Sequence, residues 1–259
     1  PKTVSYGSGS ADVEYDYDTV NSVCTTGETF AVGRVTAMRT EGTELKYCYD
    51  RFGQVVRKVQ SVDSQSFTLR YAYTLAGQLQ AMTYPDGAVA DYVRDNQGRI
   101  SEIGVTPAGG VRSVLLNNAT YKPFGPVAGW TYGNGRSLQR TYDQDYRAKS
   151  ILDTASGGLS LSYGYNEVGD LTQLKDGLQS AALAQYDYDT LGRLKITRDG
   201  PTGTPLETYG YDATGNRTSL LHAGITTGYS YPSTSQRLSS VGGVGRGYDA
   251  VGNTTSIGG

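Results

Sequence analysis

The chain repeats one short unit, and this repetition constrains its fold more than any other feature. The clearest copy is residues 186–194, which read YDYDTLGRL. Tyr186 and Tyr188 are two residues apart, so on a strand both rings leave the same face of the sheet. Asp189 and Gly192 suit a type I turn, because Asp accepts hydrogen bonds from turn amides and Gly adopts a left-handed conformation freely. The unit therefore predicts a β-hairpin.

The same pattern of tyrosines, a turn-opening residue and a glycine recurs along the chain. Close copies are Tyr47, Tyr49, Asp50 and Gly53; Tyr71, Tyr73, Thr74 and Gly77; Tyr163, Tyr165, Asn166 and Gly169; and Tyr209, Tyr211, Asp212 and Gly215. Partial copies are Tyr92, Asp95 and Gly98; Tyr142 and Asp143; and Tyr248, Asp249 and Gly252. The turn-opening residue falls at positions 166, 189 and 212, a spacing of 23 residues, and at 50 and 74, a spacing of 24. A fixed period of this kind indicates a repeat array.

Composition supports a sheet with one wet face. The chain has 22 Tyr against four Phe and one Trp, whereas a globular core mixes aromatic types and holds more Leu, Ile and Phe. Its 35 Gly and only eight Pro fit many tight reversals. We therefore expect an all-β fold, an antiparallel meander in which each repeat contributes two strands of about six residues.

This pattern resembles the YD repeat of the RHS family, which includes bacterial RHS proteins, the shell components of Tc toxin complexes and animal teneurins. The resemblance covers nearly the whole chain and implies one array over residues 1–259, forming a curved strip or a segment of a spiral shell or barrel. Thr74 and Asn166 replace the turn Asp, Tyr146 replaces the Gly, and residues 229–232 lack both. We expect irregular turns at these four places.

An insertion interrupts the first repeat. Residues 15–18 open that repeat, but the next Gly-Arg-hydrophobic step comes only at 33–35, so the insertion occupies about 19–32. It contains Cys24, and Cys48 lies one repeat later in a predicted strand. Because the resembled family is typically exported, a Cys24–Cys48 disulfide is one interpretation. Two separate thiols, one of them a small buried apolar residue, are the other.

Two further segments depart from the regular pattern. Residues 1–14 are expected to hold an incoming strand. Residues 105–141 match the repeat least well and carry two prolines where a strand would donate hydrogen bonds. Asp95 and Asp143 are 48 residues apart, two periods of 24, so this segment is interpreted as a degenerate repeat.

Few residues offer catalytic or ligand chemistry. His222 is the only histidine, so a His-based metal cluster is not available, and two cysteines alone cannot form a structural zinc site. We interpret His222 as a surface imidazole. A nucleophile triad would have to use that histidine, and the sequence has no G-x-S-x-G elbow. The sequence thus predicts no enzyme activity, no cofactor and no metal.

Paired carboxylates are the remaining candidates for a cation site or a glycosidase. Asp16 with Asp18, and Asp187 with Asp189, are i, i+2 pairs on one strand face. We favour their roles as turn acids and outward polar residues, because repetition singles out no pair. The net charge of -2 gives no footprint for nucleic acid or an anionic membrane. No apolar run approaches the length of a membrane span.

The resemblance implies an architectural function. We expect a non-catalytic segment of an exported RHS/YD-repeat protein, secreted or at the cell surface, whose β-shell encloses a toxin or other C-terminal cargo. Its partners would be other YD repeats of the same parent chain or neighbouring copies, and the enclosed toxin domain. Two alternatives stay open: an extracellular carbohydrate-binding or adhesion module whose exposed tyrosines stack on sugars, and a segment that self-assembles through unpaired edge strands.

The repeat also predicts local geometry. The turn glycines should mostly have positive φ, because the reversal of the chain requires it: Gly53, Gly77, Gly98, Gly169, Gly192, Gly215 and Gly252. Tyr163, Tyr186 and Tyr209 should form a ladder on one face, with adjacent rings close enough to pack.

Overall fold

The fold is built from strands alone in the parts of the chain that the structure describes. The computed structural model describes residues 2–4, 13–177 and 182–258. Within these ranges every regular element is a β-strand and none is a helix, which confirms the predicted all-β class. In the same ranges no helix has the length and apolar character to cross a bilayer. Of the segment 1–14, residues 5–12 lie outside the described residues.

The first of two compact units covers Pro1–Ser137. Each of its strands is antiparallel to the next in the sequence. The incoming strand expected near the start is present as β1, paired with β2. The strands are β1 (Lys2–Val4), β2 (Val13–Tyr17), β3 (Val35–Thr40), β4 (Thr43–Tyr49), β5 (Val55–Val62), β6 (Gln65–Tyr73), β7 (Leu79–Thr83), β8 (Val89–Arg94), β9 (Ile100–Thr106), β10 (Ser113–Tyr121) and β11 (Val127–Tyr132).

The second unit covers Leu138–Gly259 and has the same meander topology. Consecutive strands are again antiparallel. That both units belong to one repeat array stays a prediction. The strands are β12 (Ser137–Tyr142), β13 (Ala148–Asp153), β14 (Ser160–Tyr165), β15 (Leu171–Asp176), β16 (Ala182–Tyr188), β17 (Leu194–Asp199), β18 (Pro205–Tyr211), β19 (Arg217–His222), β20 (Ile225–Ser230), β21 (Ser240–Val241), β22 (Val244–Tyr248) and β23 (Thr254–Ile257).

The turns of the motif share one geometry. The Gly192 amide donates to the Asp189 carbonyl at 3.0 Å, and the Asp189 amide donates to the Arg193 carbonyl at 2.9 Å. This is a type I turn followed by a left-handed bulge residue. All seven turn glycines named above have positive φ, between 74° and 97°, which confirms that prediction.

Three of the four turns expected to be irregular are regular. The backbone carbonyls of Thr74 and Asn166 accept the amide of the glycine three residues later at 2.9 and 3.1 Å, as the Asp carbonyl does in the other turns. Tyr146 occupies the glycine position with φ of 61°. Its backbone amide donates a hydrogen bond to the Asp143 carbonyl, as the glycine amide does in the other turns. The expectation was wrong for two reasons. The side-chain oxygens of Thr and Asn accept turn amides as a carboxylate does. A residue other than glycine can also adopt a left-handed conformation when the paired strands on both sides fix the turn. The turn after β20 is irregular, as expected.

A β-bulge follows each motif turn. Tyr188 pairs with Leu194 and Asp187 pairs with Ile196, so Lys195 is skipped. The same one-residue shift recurs in the other motif hairpins. A bulge bends its strand and increases the local twist. The skipped residues are Thr36, Val56, Gln80, Ser101, Lys149, Thr172, Lys195, Thr218 and Thr255.

The register places Tyr163, Tyr186 and Tyr209 on one face of the second unit. Tyr163 pairs with Leu174, and Leu174 pairs with Ala184, two residues before Tyr186. The same path leads from Tyr186 through β17 to β18 and Tyr209. The expected ring-on-ring packing is wrong, because one period holds two strands, which puts successive tyrosines about 10 Å apart at the backbone. An intervening strand separates each pair.

The insertion packs against the first hairpins. Its ends are joined where the Gly33 amide donates to the Asp18 carboxylate at 2.6 Å, and the Cys24–Cys48 disulfide fixes its middle to β4. Thr29 forms a parallel bridge with Tyr49. Most of the buried side chains of the described residues cluster here, so this is where the first unit has a core: Ala31, Thr36, Ala37, Cys48, Tyr49, Arg57 and Val59.

Candidate functional site

In most motif hairpins a tyrosine hydroxyl ties the hairpin to the preceding one. Tyr188, at the end of β16, donates to the carbonyl of Leu171, the first residue of β15, at 2.8 Å. We call this contact the tyrosine clasp. The second tyrosine of each close copy makes it, and so do tyrosines of weaker copies: Tyr49 to Val35, Tyr73 to Val55, Tyr121 to Ile100, Tyr165 to Ala148, Tyr211 to Leu194, Tyr231 to Arg217 and Tyr248 to Leu238.

Partial burial favours the protonated form of four clasp phenols. It raises the pKa of Tyr49, Tyr73, Tyr165 and Tyr188 above the ordinary tyrosine value. A protonated phenol is the form that donates a hydrogen bond. The clasp therefore persists throughout the neutral and mildly basic range.

One repeat makes the clasp with a different side chain. Arg94 stands where the second tyrosine is expected after Tyr92. Its Nη2 donates to the carbonyl of Leu79, the first residue of β7, at 2.8 Å, and its Nη1 donates to the Gly98 carbonyl at 3.0 Å. The position thus requires a long donor that reaches the neighbouring strand, and a guanidinium satisfies it as well as a phenol.

The turn acids bind the backbone of their own turn. Asp189 Oδ1 accepts from the amides of Leu191 and Arg193 at 2.9 and 3.0 Å, and its Oδ2 accepts from Arg193 Nε at 2.7 Å. The other acids accept the equivalent two amides: Asp50, Asp95, Asp143, Asp212 and Asp249. The Arg193 amide is the main reason that the pKa of Asp189 lies below its usual value.

The residue after the turn glycine connects one turn to the next. The Arg193 guanidinium lies 4.8 Å from the Tyr211 ring centroid, and its Nη1 donates to the Asp212 carbonyl at 2.9 Å. Arg34, Arg99 and Arg147 lie over the next clasp tyrosine at 5.7, 4.6 and 5.1 Å. Gln54 and Gln78 instead donate to the next turn glycine carbonyl, both at 3.1 Å. This border contact was not predicted from the sequence, although the Arg or Gln that recurs after the turn glycine is a visible signal for it.

The paired carboxylates are engaged separately. Asp16 binds Arg39 at 2.6 Å and Asp187 binds Arg198 at 2.7 Å, while Asp18 accepts the Gly33 amide and Asp189 holds its turn. His222 is exposed and lies 3.6 Å from Glu207. The described ranges contain no group of three or more residues able to hold a metal ion.

A groove lies along β12 to β15 of the second unit. The register aligns Thr141, Ser150, Ser162 and Lys175 in a row across β12 to β15. The concavity has a volume of about 620 Å³, and Gln139, Lys149 and Ser160 also line it. Ile151, Leu152, Leu161 and Tyr163 line it as well, so the groove combines hydrogen-bonding side chains with apolar and aromatic surface.

Removal of a turn acid should weaken the fold slightly and equally in each repeat. We expect Asp189→Ala to lower the melting temperature by about 2 to 4 °C, through lost side-chain-to-backbone hydrogen bonds. Asp50→Ala and Asp212→Ala should have similar effects, because each acid has the same role in its own hairpin. Calorimetry of the three variants checks this, and Asp189→Asn is the control that keeps the acceptor oxygen. A large loss at one acid only would contradict the equivalence.

The turn acids also predict acid sensitivity. The side-chain amide of Asn216 is the largest cause that lowers the pKa of Asp212 to about 2, and the pKa values of Asp95, Asp143, Asp189 and Asp249 are lowered too. A carboxyl with a lower pKa in the folded state stabilises the fold above its unfolded pKa, and this stabilisation disappears as the pH falls through the folded value. The melting temperature should therefore change little from pH 7 to 5 and fall between pH 4 and 2. Asp212→Asn should reduce that fall.

Comparisons with known proteins agree with this geometry. The RHS Repeat family profile matches residues 49–89. The fold is similar to "TcdB2-TccC3-Cdc42" and to "TcdB2-TccC3 without hypervariable C-terminal region", with TM-scores of 0.74 and 0.73, each at 15% identity over 95% of this chain. It is also similar to the Photorhabdus luminescens Tc holotoxin pore carrying the mutation TccC3-D651A, with a TM-score of 0.70 at 16% identity over 95% of this chain.

These comparisons confirm the resemblance to RHS/YD repeats and the fold. The chain spans 17% of the length of each of these Tc toxin chains. A search among curated proteins found no match. The clasp of Tyr73 on Val55 and the turn acid Asp50 lie within the residues that match the RHS repeat.

Proposed function

We propose that the chain is a wall segment of a β-shell, structural and non-catalytic, that encloses a toxin or other cargo domain of an exported protein. The RHS repeat at residues 49–89 and the likeness of the fold to Tc toxin components support a structural segment of this kind. Cargo enclosure, export and the absence of catalysis are the proposal itself.

The observation that carries the proposal is the repetition of equivalent contacts. Tyr188 and Tyr211 each bind a carbonyl of the preceding hairpin, and Arg193 connects the turn of its own repeat with the next. Stability in such an array is distributed over neighbouring units. A wall needs this distribution, whereas an enzyme needs one constellation that differs from all the others.

The polar face suits a wall that holds a folded domain. In the second unit it presents hydroxyl, amide and charged groups, as in the row from Thr141 to Lys175. A large apolar patch would bind exposed hydrophobic surface of a cargo. A hydroxyl-rich face releases it more readily.

The disulfide supports an exported protein. Cys24 and Cys48 are bonded, and such bonds persist mainly in oxidising compartments. We therefore place the protein outside the cell or at its surface, with neighbouring repeats of the parent chain and the enclosed domain as its partners.

Limited proteolysis of the natural full-length protein tests enclosure. We expect protease to cut exposed turn tips first, such as those at Phe52 and Leu191, both 70% exposed, while a non-repeat domain of the same protein stays intact. Unfolding the shell with urea should remove this protection. Cleavage of that domain at the same rate in native and unfolded shell would contradict enclosure.

An alanine series tests the absence of catalysis. Asp16, Asp50, Asp143, Asp187, Asp189 and Asp212 are each replaced, and melting temperature and hydrolysis of a glycoside panel are measured. We expect small stability losses and no turnover in the unchanged protein. Turnover that disappears at one position alone would show an active site.

Carbohydrate binding stays a second candidate because of the groove along β12 to β15. Its lining of hydroxyl and amide side chains can exchange hydrogen bonds with sugar hydroxyls. Glycan-array binding by the unchanged protein, reduced in a Ser162→Leu variant that fills the groove, would support this function. Self-assembly would instead appear as concentration-dependent elution in size-exclusion chromatography.

A further inference from the structure

Arginines at three motif turns have an internal carboxylate partner, whereas Arg34, at the same position, donates to backbone carbonyls. Arg99, Arg147 and Arg193 bind the acid that opens their own turn, with N to O distances of 2.7, 2.6 and 2.7 Å. The acid neutralises the guanidinium and fixes its orientation over the next repeat. These three turns define the ordinary environment of an arginine at this position.

Arg237 occupies the same position in the irregular repeat. It precedes Leu238, whose carbonyl accepts the Tyr248 clasp at 2.8 Å, just as Arg193 precedes the carbonyl bound by Tyr211. Its Nη1 lies 3.4 Å from the Asp249 carbonyl of the next turn. Its guanidinium also lies against Gly252, where an added Cβ would be 3.2 Å from Nη2.

The acid of this repeat is missing. Pro232 stands directly after Tyr231, where Asp189 follows Tyr188, and the segment to Arg237 is one residue longer. No ion pair of Arg237 occurs in the described part of the chain. Ser235 Oγ only accepts the Arg237 amide at 3.0 Å. The guanidinium thus keeps its ordinary place while the carboxylate that elsewhere binds it is gone.

A second cation and several hydroxyls share the notch in front of Arg237. Arg246 of β22 lines the same concavity, which has a volume of about 430 Å³, together with Thr234, Ser235 and Ser239. Arg246 also forms no ion pair within the described ranges; its Nη1 donates to the Gly245 carbonyl at 3.3 Å. Two guanidinium groups that form no ion pair within the described ranges line one notch, and such a pair of cations attracts an anion.

We propose that this notch binds a carboxylate-bearing ligand, whose carboxylate takes the place of the missing turn acid on Arg237. The planar guanidinium matches a carboxylate through two parallel hydrogen bonds, and the hydroxyls of Thr234 and Ser235 supply further donors. The volume exceeds that of one carboxylate and leaves room for a second acidic group at Arg246. The ligand is a free dicarboxylate or an acidic side chain of a polypeptide.

Titration calorimetry with two probes tests the proposal and separates the two sources. The probes are succinate and an N-acetylated hexapeptide of glutamate and glycine, each titrated at constant ionic strength set with KCl. We expect binding of at least one probe. Succinate binding equal to that of the peptide indicates a free acid, and tighter peptide binding indicates a polypeptide. Absence of binding by both would overturn the proposal, and so would tighter binding of inorganic phosphate than of either probe.

Two variants locate the site. Arg237→Gln should weaken binding at least about tenfold, while the matched control Arg193→Gln, whose arginine has its own acid, should leave the affinity unchanged. Ser235→Asp should supply an internal carboxylate and remove binding without loss of Arg237 or of melting temperature. Equal affinities of the unchanged protein and Arg237→Gln, or equal losses in the Arg237 and Arg193 variants, would overturn the assignment.

Discussion

Replacing both Cys24 and Cys48 by alanine should lower the free energy of unfolding of the first unit by about 3 kcal/mol, because the crosslink then no longer restricts the unfolded chain. The bond joins residues 24 apart and holds the insertion against β4. Cys48 is 1% exposed, so alanine is chosen over serine, whose hydroxyl would be buried at that position. Urea unfolding at neutral pH measures the change.

Reductant provides the control for the disulfide. The unchanged protein should shift to a lower urea midpoint in dithiothreitol, whereas the double-alanine variant should have the same midpoint with and without it. The Tyr209 and Tyr211 region of the second unit should unfold at an unchanged midpoint in both. If the urea midpoint of the unchanged protein is the same with and without dithiothreitol, the insertion is held by its other contacts.

Replacing Arg57 by alanine should destabilise the first unit by a similar amount, about 3 kcal/mol, because it leaves the Glu28 carboxylate, whose side chain is only 15% exposed, without its main partner. Arg57 is 8% exposed, and its Nη2 donates to Glu28 at 2.8 Å and to the Thr25 hydroxyl at 3.1 Å. Burial opposes ionisation of Glu28, yet Arg57 and the Thr25 amide hold the pKa of Glu28 below its usual value. Arg70, 3.6 Å from Glu28, compensates only in part.

A double-mutant cycle separates the pair from its surroundings. Glu28→Gln and Arg57→Met alone should each destabilise, and the double variant should lose less than the sum of the two, because neither charge is then left unpaired. Urea midpoints and slopes of the four proteins give the coupling. Additive losses would show that Arg57 stabilises by packing of its aliphatic chain alone.

The hairpins could be predicted because their determinants are local. Asp189 and Gly192 specify a turn within four residues, and the two-residue spacing of Tyr186 and Tyr188 specifies a face. These preferences act before any tertiary contact forms. The expected irregularity at Thr74 was wrong because the Thr74 hydroxyl accepts the Gln78 amide and its carbonyl accepts the Gly77 amide, so threonine supplies the same local contacts as aspartate.

The contacts between repeats could not be predicted from the same pattern. The Tyr188 hydroxyl binds Leu171, 17 residues earlier, and nothing in the spacing of tyrosines shows which carbonyl it reaches. The skipped residue Lys195 changes the register of its hairpin, and bulges have no residue signature in this chain. The predicted packing of the Tyr163 and Tyr186 rings was wrong because each repeat contains two strands. The intervening strand β15 therefore separates the two tyrosines.

The tyrosine clasp has a consequence for how such a chain can evolve. Each clasp requires only a donor in one hairpin and the first carbonyl of the outgoing strand before it, as at Tyr211 and Leu194. A duplicated block of 23 residues brings one of each, so both new junctions are complete without a compensating mutation. Duplication of a single strand would instead reverse the direction of every later strand, so that the motif turns after it would lie along the opposite edge of the sheet. Gene duplication can therefore lengthen the array in whole repeats, and the substitution of Arg94 for tyrosine shows that a copied junction tolerates drift while its donor still reaches Leu79.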